Sequence, residues 1–246
     1  MKLTWLIGLL VLAGCVTAPV TEPDTQAPTK DFNYEIDKIV NTSACAAYSW
    51  KNRGVGPKAY FSAIAKAYHK EFCANKPETT PGSSDFDALT WYGLTPNLKN
   101  TYVLLTGLGM RESSGKFCTG KDASASNTSA ETAEAGPFQS SYNSRYKPVV
   151  KNGVTSYVVD ESRTAIYKLF EACPITECKG SQAKNWGTGE GVEFQRRSKE
   201  CPAFAVEYNA LMIRLNRRHY GPINRKEAEF IPACGIMLDQ VAALGC

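Results

Sequence analysis

The sequence predicts an α-rich α+β domain that contains one small β-hairpin and is stabilised by disulfides. Several segments carry apolar residues at helical spacing, whereas residues 147–159 alternate around Asn152-Gly153 as a hairpin does. The chain has nine cysteines, and the eight that follow Cys15 form an even set. An even number in an exported chain favours up to four disulfides, whose pairing the sequence leaves open.

The composition of the 246 residues, with 43% hydrophobic and 21% charged residues, is typical of a globular protein with a sizeable core. The formal net charge of +4 is too small to indicate binding to nucleic acid. A mildly basic surface suits an anionic polymer such as a bacterial cell wall. No metal site is predicted, because the chain has only two histidines and no Cys-x-x-Cys pair.

Residues 1–14 have the pattern of a lipoprotein signal peptide. Lys2 supplies a positive start, and residues 3–12 form an apolar core too short to span a bilayer comfortably. The ending Leu-Ala-Gly-Cys resembles the lipobox of bacterial lipoproteins, which implies cleavage before Cys15 and lipidation of that cysteine. Val16 stands where an aspartate would signal inner-membrane retention, so the resemblance implies an outer-membrane anchor facing the periplasm. An ordinary secretory signal is the alternative.

Residues 15–31 contain the lipidated cysteine and a tether rich in Pro and Thr without apolar periodicity, and the folded domain is expected over residues 32–246. Its first helix pattern covers residues 58–75, with Tyr60, Ile64, Tyr68 and Phe72 at helical spacing. Ser84 is expected to cap a short helix that reaches Trp91.

After the hairpin at residues 147–159, Asp160 is expected to cap another helix, and residues 180–191 form a glycine-containing loop. Pro202 starts a helix. Asn224 is expected to cap the last helix, with a break at Pro232 near its middle.

The helix that begins at Asn97 carries the most informative acid. Leu105, Leu108 and Glu112 lie on one stripe, so Glu112 continues the apolar face and is partly desolvated. Residues 113–115, Ser-Ser-Gly, then end the helix, with Gly115 as its cap. A half-buried carboxyl group at a helix end has a raised pKa, as a general acid requires. The alternative is a surface glutamate at a frayed helix end.

Three short motifs follow one another along the chain in a familiar order. They are Glu112-Ser113, Gly136-Pro137-Phe138-Gln139 and Tyr208-Asn209-Ala210. Over residues 97–211 their order and spacing resemble the lysozyme-like fold of lytic transglycosylases and goose-type lysozymes. This sequence departs from the family pattern at Pro137-Phe138, which replaces Leu-Met, and at Leu211, which replaces a glycine.

The resemblance implies a reaction that needs no cofactor, with peptidoglycan as the substrate. Glu112 would protonate the oxygen between N-acetylmuramic acid and N-acetylglucosamine, and would then take a proton from the 6-hydroxyl to close an anhydro ring. Ser113 would hydrogen-bond near the sugar, while Gly136 and Gln139 would line the cleft. Tyr208 would hold the general acid or the cationic transition state, with Asn209 nearby.

The loop between Glu112 and Gly136 carries three further acids, Asp122, Glu131 and Glu134. Glu131 stands about where goose-type lysozymes place an aspartate, so a hydrolytic muramidase with Glu131 as its second carboxylate is an alternative. The three acids also fit a solvated loop. A third interpretation is a non-catalytic envelope lipoprotein whose cleft only binds peptidoglycan.

Overall fold

In the computed structural model, α-helices surround one long buried helix. The structure describes residues 31–74, 87–122, 124–161, 173 and 177–246. Their α-helices are α1 (Phe32–Thr42), α2 (Ala44–Ala47), α3 (Lys58–Cys73), α4 (Ala88–Tyr92), α5 (Leu98–Ser113), α6 (Glu190–Glu200), α7 (Pro202–Leu215), α8 (Gly221–Asn224) and α9 (Pro232–Ala242). The strands are β1 (Ser49–Trp50), β2 (Gly54–Val55), β3 (Tyr146–Lys151) and β4 (Val154–Val159). Short 3₁₀ helices cover Tyr142–Arg145, Ser181–Ala183 and Arg217–His219.

Helix α5 forms the centre of the core. Every residue from Thr101 to Met110 is buried, and the helix packs against α3, α7 and α9. Gly109 allows a close approach, since a Cβ there would lie 2.2 Å from the Tyr60 hydroxyl. Residues Phe32–Cys246 form one compact unit. In the described part of the chain, no helix combines the length and hydrophobicity needed to cross a membrane.

Four disulfides use all eight cysteines that follow Cys15. They join Cys45 to Cys234, Cys73 to Cys246, Cys118 to Cys178 and Cys173 to Cys201. The third one matters most for the site, because it brings the loop after α5 against the segment that precedes α6. The prediction of a helix-rich, disulfide-stabilised domain with a small hairpin is confirmed.

The hairpin is confirmed in detail. Strands β3 and β4 pair antiparallel from Tyr146↔Val159 to Lys151↔Val154. Asn152 and Gly153 connect them with φ of 50° and 74°, the left-handed pair that a two-residue hairpin turn needs. Strands β1 and β2 form a second, smaller antiparallel pair, which the sequence patterns did not indicate.

Three predictions about where helices begin or break are wrong. Asp87, not Ser84, caps α4, because its carboxylate accepts a 2.8 Å bond from Leu89 N. Pro232 does not break the last helix: it lies in the first turn of α9, where the missing N–H costs nothing. Asn224 instead ends the short helix α8.

Helix α6 was not predicted, and it begins inside the expected glycine-containing loop. The helix expected after Asp160 falls mainly on residues 162–172, which lie outside the described residues. The expected signal peptide and tether cover residues 1–31, and all of these except Asp31 also lie outside the described residues.

Candidate active site

Glu112 lies in the last turn of α5, next to the residue that ends the helix. The helix stops as predicted, with the following two residues left-handed: Ser114 has φ of 58° and Gly115 has φ of 71°. Their N–H groups donate to the carbonyl oxygens of Met110 and Gly109, which satisfies carbonyls of the last turn.

A cavity of about 260 Å³ opens beside this helix end. Its walls come from α5, the loop after it, the turn at residues 134–139 and the 3₁₀ helix Ser181–Ala183. The lining residues are Glu112, Thr119, Gly120, Lys121, Asp122, Glu134, Gln139 and Gln182. A larger cavity of about 730 Å³ lies between α3 and α7, but none of the predicted site residues lines it.

Burial raises the pKa of Glu112 to about 7, and the neighbouring charge of Glu134 adds to this rise. The charges of Arg225, Arg53 and Arg111 act in the opposite direction. A carboxyl group with this pKa is partly protonated at neutral pH and is therefore suited to general acid chemistry.

Another carboxylate engages two of these arginines. Arg225 Nε donates to Glu227 at 2.8 Å, and Arg111 Nη2 donates to it at 3.2 Å. These hydrogen bonds lower the pKa of Glu227 to about 2, and the bond from Arg225 has the larger effect. Because Glu227 takes up the guanidinium groups, Glu112 has no direct ion pair among the described residues and keeps its affinity for a proton.

The second glutamate of the cavity is Glu134 and not Glu131. Burial and the charge of Asp122 raise the pKa of Glu134, while Lys121 lowers it. Glu131 is exposed and does not line the cavity. The chain turns at Ser129, whose carbonyl accepts from Ala133 N, so Glu131 lies on the outside of that turn.

The turn at residues 136–139 is held from two sides. Gly136, with φ of 76°, packs so closely on α6 that a Cβ would lie 2.1 Å from Ser198 O. Phe138 is fully buried against Tyr60. Gln139 then returns to the cavity, where its amide donates to the carbonyl oxygens of Gly120 and Gly136 at 3.2 and 2.9 Å. Gln139 lines the cavity with Glu112, as predicted, whereas Gly136 packs against α6 and is not among the residues that line it.

Ser113 does not face the cavity as a sugar ligand would. It is buried, and its hydroxyl donates to Gly109 O and Pro137 O at 3.1 and 2.9 Å. The same oxygen accepts from Lys116 N. Hydrogen bonds inside the protein therefore use this hydroxyl, and Ser113 is not among the residues that line the cavity.

Tyr208 and Asn209 are residues of α7 that are buried in the protein core, and they do not line the cavity. The Tyr208 hydroxyl lies 2.6 Å from Ser144 Oγ, and Asn209 Nδ2 lies 3.4 Å from Ser140 Oγ. Asn209 also accepts a hydrogen bond from Tyr220. Both residues thus contact the segment at residues 140–144, and neither takes the predicted place beside Glu112.

Sequence reasoning missed Lys121 and Gln182, which come from distant parts of the chain. Gln182 reaches the cavity because Cys118–Cys178 holds the two segments together, and its Oε1 accepts a 2.7 Å bond from Gly120 N. Only the disulfide pairing could have indicated this neighbourhood, and the sequence does not give that pairing.

In the residues that the structure describes, no group of three or more His, Cys, Asp or Glu side chains is arranged to hold a metal ion. Comparisons of the chain with protein-family models, curated proteins and solved structures found no match. The chemistry of the site must therefore be inferred from its own geometry.

Proposed function

We propose that the protein cleaves the glycan strand of peptidoglycan, with Glu112 as the general acid at the β-1,4 bond between N-acetylmuramic acid and N-acetylglucosamine. One observation carries the proposal: a helix-terminal carboxyl with a pKa of about 7 lines an open polar cavity. Protonating a glycosidic oxygen near neutral pH needs this combination of protonation and access.

A single-glutamate route of the lytic transglycosylase type fits this arrangement. Glu112 gives its proton to the glycosidic oxygen as the bond to the muramic acid C1 breaks. The carboxylate that remains accepts the proton of the 6-hydroxyl, whose oxygen bonds to C1 and closes the anhydro ring. Asp122 and Glu134 border the same cavity, and their negative charge favours the cationic transition state.

Hydrolysis is the second candidate, and the position of Glu134 favours it. An inverting hydrolase needs a second carboxylate to activate water on the opposite side of the sugar. Glu134 shares the cavity with Glu112 and interacts with it electrostatically, which Glu131 does not. If water is the acceptor, Glu134 is therefore the base that we expect.

The pattern of a lipoprotein signal peptide at residues 1–14 supports a proposal about where in the cell the protein lies. The ending at Cys15 and the following Val16 suit a lipid-anchored protein of the outer membrane that faces the periplasm, where peptidoglycan lies. Metabolic labelling with palmitate tests this proposal: the label should appear on the wild-type protein and be absent from Cys15→Ser.

The decisive experiment is mass spectrometry of peptidoglycan digested by the mature chain, with wild type beside Glu112→Gln. Products ending in 1,6-anhydromuramic acid that disappear in the variant support the transglycosylase route. Reducing ends support hydrolysis and make Glu134→Gln the next variant. Glu35→Gln, which removes a partly exposed carboxylate on α1 that lies outside the cavity and pairs with Lys38, is the matched control and should digest as wild type does.

Absence of soluble fragments from a folded wild-type chain would overturn the enzymatic proposal. Retained binding to peptidoglycan would then identify the non-catalytic lipoprotein.

A further inference from the structure

Two lysine ammonium groups lie against one indole ring beside the Glu112 cavity. Lys184 Nζ is 3.8 Å from the centroid of the Trp186 ring, and Lys121 Nζ is 5.3 Å from it. Lys121 lines the cavity, as does Gln182, two residues before Lys184. The lysine–tryptophan cluster, meaning Lys121, Lys184 and Trp186, therefore borders the site where we place the scissile bond.

Two buried side chains of α6 fix the backbone that carries this cluster. Lys199 Nζ donates to the carbonyl oxygens of Gln182, Ala183 and Lys184 at 3.2, 2.6 and 3.1 Å. Gln195 accepts from Trp186 N at 2.8 Å and donates to Trp186 O at 3.0 Å. A surface segment whose backbone is held in this way presents its side chains with little loss of entropy on binding.

The glycines that follow Trp186 belong to the same arrangement. A Cβ on Gly187 would lie 2.2 Å from Ala130 N, and one on Gly191 would lie 2.2 Å from Ala130 O. The Gly-Thr-Gly-Glu-Gly sequence thus allows the chain to pass closely over Ala130 before it enters α6. This contact fixes the position of the segment immediately after Trp186.

The cluster has positive charge that the protein does not neutralise by direct pairing. Neither Lys121 nor Lys184 forms a salt bridge within the described parts of the chain. Lys121 donates to the backbone oxygens of Asp122 and Ala125, whereas Lys184 is exposed. Cation–π attraction keeps both ammonium groups near the ring, so an incoming anion meets two cations and a flat apolar surface together.

We propose that the lysine–tryptophan cluster binds carboxylates of the peptide attached to the muramic acid beside the scissile bond. This inference rests on the proposed function and extends it to the substrate's side chain. In an intact strand the N-acetyl sugars are neutral, and the free carboxylates belong to the peptide. Charge complementarity therefore directs the cluster toward the peptide, while the cavity takes the glycan.

Binding measurements on an inactive chain test this inference. Glu112→Gln is titrated with soluble peptide-bearing glycan strands and with the same strands after carbodiimide amidation of their carboxylates. The unmodified strands should bind about fivefold more tightly, the scale expected for a partly exposed ion pair. The preference should fall in Glu112→Gln/Lys184→Met, where only Lys121 remains, and salt should weaken binding less in that variant.

Lys38→Met is the matched control, because Lys38 Nζ lies 5.4 Å from the Tyr34 ring on α1 and has no part in the cavity. It should keep the full preference for unmodified strands. Urea unfolding of both lysine variants checks that the fold is retained.

Equal binding of the two strand types by Glu112→Gln would overturn the inference, and so would an unchanged preference in the Lys184→Met variant. Both results leave the proposed function intact if the wild-type chain still cleaves peptidoglycan. Failure of the wild-type chain to cleave would overturn the proposed function, a separate readout from strand preference.

Discussion

The hydroxyl of Ser113 donates a 2.9 Å hydrogen bond to the carbonyl oxygen of Pro137. This bond joins the end of α5 to the turn at residues 136–139. Glu112 immediately precedes one partner, and Gln139 follows the other by two residues, so the bond sets the distance between two side chains of the cavity. The position of the candidate acid therefore depends on a buried contact that does not touch substrate.

Ser113→Ala should lower the free energy of unfolding by about 1–3 kcal/mol, because the buried Pro137 carbonyl loses its donor. Urea unfolding with the disulfides intact measures this loss. Ser156→Ala is the control, since that exposed hydroxyl donates to Val149 O in the hairpin, and it should cost less than about 0.5 kcal/mol. Equal losses in the two variants would show that the bond to Pro137 contributes nothing.

Gly136→Ala should be strongly destabilising, for two separate reasons. Its φ of 76° costs an L-residue about 1–2 kcal/mol, and the new Cβ would lie 2.1 Å from the backbone oxygen of Ser198. Relieving that overlap adds about 1–3 kcal/mol. The variant should also lose cleavage activity, because the turn must move away from α6 and takes Gln139 with it.

Gly93→Ala separates the two costs. Gly93 has φ of 70°, but no atom of the described residues lies within 4 Å of the position a Cβ would take. Its loss in urea unfolding should be about 1–2 kcal/mol, the conformational cost alone. A Gly136→Ala loss no larger than this would mean that α6 and the turn separate easily.

The parts of the site that the sequence predicts are those fixed within a few residues. Helical spacing predicts that Glu112 is partly desolvated, which the structure bears out, although α5 is buried on all sides from Thr101 to Met110 and not along one stripe. The Asn152-Gly153 pair specifies the hairpin turn.

The resemblance to goose-type lysozymes points to Glu131 as the second carboxylate, but Glu134 lines the cavity and Glu131 is exposed. The chain turns at Ser129, with Ala133 N donating to Ser129 O. A turn of this kind depends on packing beyond the loop, which spacing does not reveal.

Helix α6 shows why apolar periodicity failed elsewhere. Its buried face contains Gln195, Ser198 and Lys199, which are polar residues that a hydrophobic pattern assigns to the surface. The carbonyl oxygens of residues 182–184 compensate the buried Lys199 charge, and burial still lowers the pKa of this lysine. Those partners lie some 15 residues away in the chain, so only the folded structure shows why the lysine is inside.

Removing a disulfide should cost more where the sulfurs are buried. Cys45–Cys234 and Cys73–Cys246 close overlapping loops. When one of these disulfides is intact, forming the other closes a smaller loop, which consists of the 28 residues from 45 to 73 and the 12 residues from 234 to 246. Loop entropy is therefore the same for both removals, about 4 kcal/mol for about 40 residues.

Packing makes the difference between these two removals. Cys45 and Cys234 are fully buried, whereas Cys246 is exposed. Cys45→Ala/Cys234→Ala should therefore lose about 1–2 kcal/mol more than Cys73→Ala/Cys246→Ala, because it leaves a cavity in the core. Urea unfolding of the two double variants provides the comparison, and equal losses would contradict the role of packing.

Burial of Glu112 should make stability depend on pH. Below about pH 4.5 this carboxyl is protonated in the folded and the unfolded chain alike. As pH rises from 4.5 to 7 the unfolded chain releases the proton first, so the wild-type free energy of unfolding falls relative to Glu112→Gln. At 1.36 kcal/mol per pH unit, the whole difference is about 3 kcal/mol.

Urea unfolding of wild type and Glu112→Gln at pH 4.5 and pH 8 checks this sign. Between pH 4.5 and pH 8, the free energy of unfolding of Glu112→Gln should increase relative to that of the wild type. A constant difference would mean that the pKa of Glu112 is the same in the folded and unfolded chain.

If Glu112 is the general acid, cleavage should fall as pH rises through about 7, because the group loses its proton. Glu134→Gln removes a charge that raises this pKa, so the alkaline limb of the kcat/KM profile should move to lower pH. Profiles normalised to their own maxima show the shift even if Glu134 also contributes to the rate.

Glu131→Gln removes a carboxylate from the same loop but outside the cavity, and its alkaline limb should stay in place. A shift in Glu131→Gln without one in Glu134→Gln would reverse the assignment of the second acid. A shift in Glu134→Gln alone would show that the two cavity carboxylates interact, since only a charge close to Glu112 can change its affinity for a proton.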